Sequence, residues 1–141
     1  MLVRLMYASR AANAVQHDEL LTILKQSKQT NPAAGVTGVL CYSDGIYIQV
    51  LEGGRAAVNA LYNKIVSDTR HTDATLLSYE EIAERRFAGW SMGQVNMTRL
   101  NPAMLLKYSE TATLDPYAVS GRATAALFEE MVATAAIMGQ A

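Results

Sequence analysis

Two side chains stand out for the chemistry they could do together. Gln49 is the single carboxamide in the apolar run Gly35–Gly53, GVTGVLCYSDGIYIQVLEG, and Tyr7 is the phenol of a second apolar run, MLVRLMYAS. An amide offers a carbonyl acceptor and N–H donors, and a phenol offers an O–H, so each can satisfy the other. Left unpaired in a core, such a group would cost roughly 1–3 kcal/mol, so Gln49 is expected to face a partner, either another side chain or a ligand.

The elements that must position them follow from periodicity. Over Leu2–Ala8, alternation puts Val3, Leu5 and Tyr7 on one face of a strand and Met6 on the other. From Asp18, Leu20, Leu21, Ile23, Leu24 and Ser27 recur at helical spacing until Asn31-Pro32, which is expected to end the helix with Asn31 at its C-terminus. Val36–Tyr42 and Ile46–Leu51 are strand-like runs joined by Asp44-Gly45, a hairpin signal whose register sets Leu40 opposite Gln49. After Gly53-Gly54, Val58, Leu61, Tyr62 and Ile65 mark the inner stripe of a second helix ending near Asp68. Thr75–Ile82 and Trp90–Val95 give weaker strand patterns.

This order predicts an α+β, ferredoxin-like βαββαββ sheet with two helices on one face. The tail supplies a cover for the other face: Leu105 and Leu106 in a short helix, then Leu127, Phe128, Met131, Val132, Ala135 and Met138 lining a longer one. Parity groups Tyr7 with Val3 and Leu5, and Gln49 with Tyr47 and Leu51. With both faces turned to the helix layer, phenol and amide meet in a pocket walled by Ile23 and Ile65, with Asn31, Lys64, Arg70 and His71 at its rim. Such a pocket suits a flat heteroaromatic ligand with polar edges.

Composition bounds the rest. At 141 residues, 50% hydrophobic and 18% charged, the chain fits one compact domain, and no apolar run is long enough to span a membrane. A net charge of −1 with scattered Lys and Arg argues against nucleic acid as a partner. Cys41, the only cysteine, excludes an internal disulfide, and the strand-like N-terminus replaces a signal peptide, so a reducing, cytoplasmic setting is expected. His17 and His71 lie in different elements with no cluster at ligand spacing, so no metal site is expected, and Cys41 reads as a buried strand residue rather than a nucleophile. Gly53-Gly54 lacks the Lys-Ser/Thr ending of a phosphate loop and reads as a turn.

Three separated segments carry a family pattern: RLMYAS with Tyr7; NPAAGVTGVLCYSDGIYIQVLEG with Asn31 and Gln49; and KIVSDTRH with RRFAGWSM, bearing Asp68, Arg70, His71, Trp90 and Met92. In these segments the chain resembles the BLUF family, the flavin-binding blue-light sensors, and its tail resembles that of the short, single-domain PixD-like members. The resemblance implies a flavin-binding unit over residues 1–96 and a helical extension over 97–141 packed on the sheet as part of the same compact unit. It implies FAD as the chromophore, with FMN or riboflavin as possible substitutes, contacted by Tyr7, Ile23, Asn31, Leu40, Gln49, Lys64, Ile65, Asp68, Arg70 and His71. Tyr7 and Gln49 would be the photoactive pair, Trp90 and Met92 the relay from the pocket to the sheet edge and tail, with Ser27 and Ser91 able to join them.

The side chains absorb no visible light, so a bound flavin would have to supply the photochemistry. A phenol is a feasible one-electron donor whose O–H can release a proton, and an amide can exchange which end faces which partner. The family likeness implies a small reversible red shift and signalling to a separate partner protein, with no enzymatic activity in this chain and a homo-oligomeric assembly. Two other readings compete: a flavin-dependent reductase, which would need a substrate channel at the flavin edge that Gln49 and Tyr7 take up, and a colourless ferredoxin-like ligand- or protein-binding module.

Overall fold

The computed structural model describes residues 1–12, 17–96, 100–134 and 137–138, with the side chains of 17–21 and 138 excepted. Expectations for the side chains of His17, Leu20, Leu21 and Met138, and for Ala135, fall outside this set. The chain runs β1 (Leu2–Ala11), α1 (His17–Ala34), β2 (Thr37–Ser43), β3 (Ile46–Gly54), α2 (Arg55–Val66), β4 (His71–Ile82), β5 (Gly93–Val95), α3 (Pro102–Tyr108), α4 (Gly121–Ala133) and β6 (Ile137–Met138). The sheet order is β4-β1-β3-β2-β5-β6, and β2–β5 is its parallel pair. The α+β, ferredoxin-like order expected from periodicity is the one observed.

β3 sits inside the sheet between β1 and β2, and seven consecutive residues from Tyr47 to Gly53 are buried. A strand covered on both faces reads as a continuous apolar run rather than an alternating one, which is why its two polar side chains, Gln49 and Glu52, are conspicuous. Alternation still sorts the side chains. Val3, Leu5, Tyr7, Leu40, Tyr47 and Leu51 pack with Leu24 of α1 and Val58 of α2 in one layer. Met6, Val39, Cys41, Ile48 and Val50 pack with Leu127, Phe128 and Met131 of α4 in the other. The sheet therefore carries two cores back to back, as the tail's apolar stripe predicted.

Local chemistry sets the boundaries. The hairpin turn has Asp44 at φ 50° and Gly45 at φ 80°, the left-handed pair of a type I′ turn whose twist matches that of the flanking strands. α1 does not stop at Asn31-Pro32 but runs through Pro32 to Ala34. The proline removes only one intrahelical bond near the end, and the stop is set by Gly35 at φ 70°, with Gly35 N–H donating to Pro32 C=O (3.1 Å) and Val36 N–H to Asn31 C=O (2.9 Å).

Two further expectations are corrected. The strand predicted over Trp90–Val95 begins only at Gly93, because Trp90 and Ser91 use their carbonyls to accept from Gly38 N–H and Asn31 Nδ2 instead of pairing in a ladder. Trp90 and Met92, two positions apart and so expected on one face of that strand, instead precede it. Met138 belongs to the two-residue strand β6, paired with Gln94, rather than to the last helix, which ends at Ala133.

Candidate functional site

Tyr7 and Gln49 are direct cross-strand partners in the β1–β3 register, and Leu40 faces Gln49 from β2. Opposite positions in an antiparallel pair bring side chains on one face together. The Tyr7 hydroxyl donates to Gln49 Oε1 at 2.5 Å, and Gln49 Nε2 donates to Met92 Sδ at 3.3 Å. Tyr7, Gln49 and Met92 are 3%, 5% and 0% exposed, so this chain of bonds lies in the protein interior. With Met92 Sδ taking the N–H end of the amide, the carbonyl end is left for the phenol.

The pair lines one wall of a cavity of about 440 Å³ between the sheet and the α1–α2 layer, a size in the usual range for small-ligand sites. All ten residues expected at a flavin site line it: Tyr7, Ile23, Asn31 and Leu40 with Gln49, and Lys64, Ile65, Asp68, Arg70 and His71 from the end of α2 onward. Ser27 lines it as well. Trp90 does not; it packs with the α4-side core, its ring tilted 59° to Phe87, and its buried indole Nε1–H lacks a partner among the described atoms. Met92 and Trp90, expected together, are therefore on opposite sides, Met92 with Gln49 and Trp90 away from it.

Gln26, Thr30, Tyr47 and Leu61 also line the cavity and were missed. The signal was present: Ile23, Gln26, Ser27, Thr30 and Asn31, like Leu61, Lys64, Ile65 and Asp68, recur at i, i+3, i+4, i+7 spacing. Gln26 and Thr30, as polar members of such a stripe, read as solvent-facing, whereas Leu61 and Tyr47 already stand on faces turned to the pocket.

The electrostatics follow from these contacts. Burial, then the nearby phenols Tyr62 and Tyr47 and the Asp68 carboxylate, raise the Tyr7 phenol far above its ordinary pKa, so it keeps its proton at any physiological pH. Hydrogen bonds from Arg70 hold the Asp68 carboxyl below the usual range; Arg70 Nη2 reaches Asp68 Oδ2 at 2.6 Å and Nε reaches Oδ1 and Oδ2 at 3.1 and 3.0 Å. His71 Nε2 lies 2.5 Å from Ile65 C=O, which can only accept, so that nitrogen carries the hydrogen and Nδ1 accepts from Ser9 Oγ at 2.7 Å. Both ring nitrogens are thus used within the protein, and His71 contributes a wall and an anchor between β4 and α2. Asn31 gives one amide hydrogen to Ser91 C=O (3.0 Å), tying α1 to the segment that leads into Met92.

Among the described residues no group of three or more His, Cys, Asp or Glu could hold a metal ion, and no helix is long and apolar enough to cross a membrane.

Comparison with known proteins agrees with this geometry. Residues 2–93 match the BLUF family, described as sensors of blue-light using FAD. The photo-activated state of BlsA superposes with a TM-score of 0.85 at 30% identity, covering 100% of this chain and 99% of that one. The dark state of BlrB, a BLUF protein, superposes at 0.80 with 31% identity over 95% and 96% of the two chains. The photoactivated adenylate cyclase subunit beta of Euglena longa is 35% identical over 92 residues, which are 64% of this chain and 11% of that protein. The chain thus spans about a tenth of the length of the curated relatives it matches.

Proposed function

The chain belongs to the BLUF family of blue-light sensors, and from that premise we propose that it is a flavin-binding photoreceptor in which Tyr7 and Gln49 form the photoactive pair. The observation that carries this reading is the buried 2.5 Å bond from Tyr7 Oη to Gln49 Oε1 on the wall of the 440 Å³ cavity. The cavity fits the ring system of a flavin: Ile23, Leu40, Leu61 and Ile65 offer apolar walls, while Gln49 and Asn31 offer amides for a polar edge. Lys64 and Arg70 at the rim suit the anionic portion of FAD, the form we assign here, with FMN or riboflavin as weaker-bound substitutes. A bound flavin supplies visible absorption and a one-electron acceptor, chemistry that no side chain of the protein provides.

The residues do the remainder. Tyr7 is neutral in the dark because burial opposes its ionisation. When the phenol gives up an electron its O–H becomes strongly acidic, and the proton passes along the existing bond to Gln49 Oε1. The amide then exchanges its ends, by rotation or tautomerisation, so that Nε2 no longer points at Met92 Sδ and a new hydrogen bond is offered toward the ligand edge. Return of the electron and proton to Tyr7 restores the phenol while the rearranged amide persists as the lit state. Stronger hydrogen bonding at the ligand edge lowers the transition energy and gives a red shift.

The output we assign to the segment carrying Trp90 and Met92, to the sheet edge and to the C-terminal helices, which bias a contact with a separate signalling protein or within a homo-oligomer. In this reading residues 1–96 form the light-sensing unit, residues 97–141 form an extension of the same compact body, and the chain itself catalyses no reaction; the cyclase activity named for the curated relatives remains theirs. A cytoplasmic setting suits the buried Cys41, which forms no disulfide. The test is reconstitution with FAD followed by absorption spectra before and after blue light. Failure to bind any flavin, or a bound flavin whose spectrum does not respond reversibly, removes the reading.

A further inference from the structure

Among the described residues Glu52 is the only carboxylate in the core, with 0% exposure. A charge in that position is strongly destabilising unless every oxygen is matched. Both are: Oε2 accepts from Arg4 Nε at 2.7 Å and from Arg86 N–H at 2.9 Å, and Oε1 accepts from Phe87 N–H at 2.7 Å. Arg4 is the cross-strand partner of Glu52 on β1, which balances the charge. The two backbone donors belong to the linker between β4 and β5, the linker that ends in Met92.

That linker makes no ladder of its own and is held by discrete bonds. Glu52 takes its Arg86 and Phe87 N–H groups, Gly38 N–H binds Trp90 C=O at 2.9 Å, and Asn31 Nδ2 binds Ser91 C=O at 3.0 Å. Immediately beyond, Met92 Sδ accepts from Gln49 Nε2. Gln49 and Glu52 lie on the same strand, so a closed circuit runs from Gln49 along β3 to Glu52, across to Phe87, along the linker to Met92, and back to Gln49. Met92 Sδ occupies the N–H end of the amide, and this decides that Oε1 faces Tyr7.

We propose that Glu52 is a positioning residue: by gripping the linker at Arg86 and Phe87 it seats Met92 against Gln49 and so fixes which end of the amide faces Tyr7 in the dark. The consequence for the photocycle rests on the photoreceptor reading above, whereas the seating of Met92 does not. A purely structural carboxylate would support stability without steering Met92. Arg4 separates the two roles, since it shares the carboxylate but does not touch the linker donors.

The test uses the full chain labelled at methionine methyl groups with ¹³C, with the Met92 resonance assigned by Met92→Leu and recorded in the dark with and without FAD. Glu52→Asp keeps the charge but withdraws it from the linker; Glu52→Gln keeps the length but removes the charge; Arg4→Met removes the ion pairs to Glu52 and Glu80 and leaves the linker donors in place. Both Glu52 variants are expected to shift or broaden the Met92 methyl resonance and to change the dark-recovery rate by about 2- to 30-fold, the usual size of such couplings. Arg4→Met is expected to lower the melting temperature and leave the Met92 resonance in place. An unmoved Met92 resonance in a folded Glu52 variant, or an equal shift in Arg4→Met, overturns the proposal. If neither Glu52 variant folds, hydrogen exchange in the wild type decides: protection of the Arg86 and Phe87 amides matching that of β3 supports the grip, and fast exchange refutes it. If the wild type shows no photocycle while Met92 still follows Glu52, the photoreceptor reading falls and the positioning role stands.

Discussion

Tyr7 and Gln49 matter as a bonded pair, so removing either member has a defined result. Tyr7→Phe keeps the ring that packs near Tyr62 and deletes only the hydroxyl, leaving Gln49 Oε1 without its donor. The variant should lose about 1–2 kcal/mol in urea denaturation. It should still bind flavin and fail to give the reversible red shift. Gln49→Leu fills the same space without an amide and should have the same spectroscopic result, checked by illuminated difference spectra; an intact photocycle in either variant contradicts the assigned roles. The phenol also makes a pH prediction. Its pKa is raised in the folded state, so its contribution to stability is full below the unfolded value and is lost as pH rises beyond about 10. Urea midpoints compared at about pH 9 and about pH 11 should fall less in Tyr7→Phe than in wild type. The pair was legible in the sequence because strand parity turns both side chains to one face and the family pattern joins them; the two-residue hairpin fixes only Leu40 opposite Gln49. Trp90 and Met92 were not, because a segment held by Glu52, Gly38 and Asn31 has no period from which orientation can be read.

The elements that hold the site divide in the same way. β1, β2, β3 and α2 follow from periodicities that burial enforces, whereas the end of α1 turns on Gly35 rather than Pro32, a competition that local propensity does not resolve. β4 is an edge strand whose exposed Leu76 and Tyr79 blur the alternation, so its start at His71 was hidden. Glu52 was hidden by being an acid within an apolar strand, although its cross-strand position opposite Arg4 was available once the register was known. At this scale α4 gives a clean test. A Cβ at Gly121 would lie 2.0 Å from Leu77 C=O, so Gly121→Ala must lift the start of α4 off β4. It should lower the melting temperature while leaving flavin affinity nearly unchanged, because the cavity is on the other face of the sheet; calorimetry and fluorescence titration of flavin check the two halves. Cys41 reports on the same layer. Burial pushes its thiol up to about 12, so it should resist thiol reagents at about pH 8 until the protein unfolds.

For the whole molecule the decisive property is that the two cores share one sheet. Met6 and Val50, the paired neighbours of Tyr7 and Gln49, face the α4 side, so the Tyr7–Gln49 pair and the C-terminal helices are separated by a single layer of backbone. Phe128→Ala, in the middle of that far core, should cost about 3–5 kcal/mol in stability by opening a cavity. Its effect on dark recovery measures how strongly the far layer is coupled to the pocket. In the proposed photoreceptor a buried phenol and amide convert light absorbed in the cavity into a rearranged hydrogen bond. The most direct measurement is the infrared difference spectrum of the FAD-loaded protein, dark against blue-illuminated, with glutamine side chains isotopically labelled, for wild type and Tyr7→Phe. The proposed photocycle requires a reversible glutamine amide band shift in wild type together with the visible red shift, both absent in Tyr7→Phe. A red shift without any glutamine band, or one that survives in Tyr7→Phe, would contradict it.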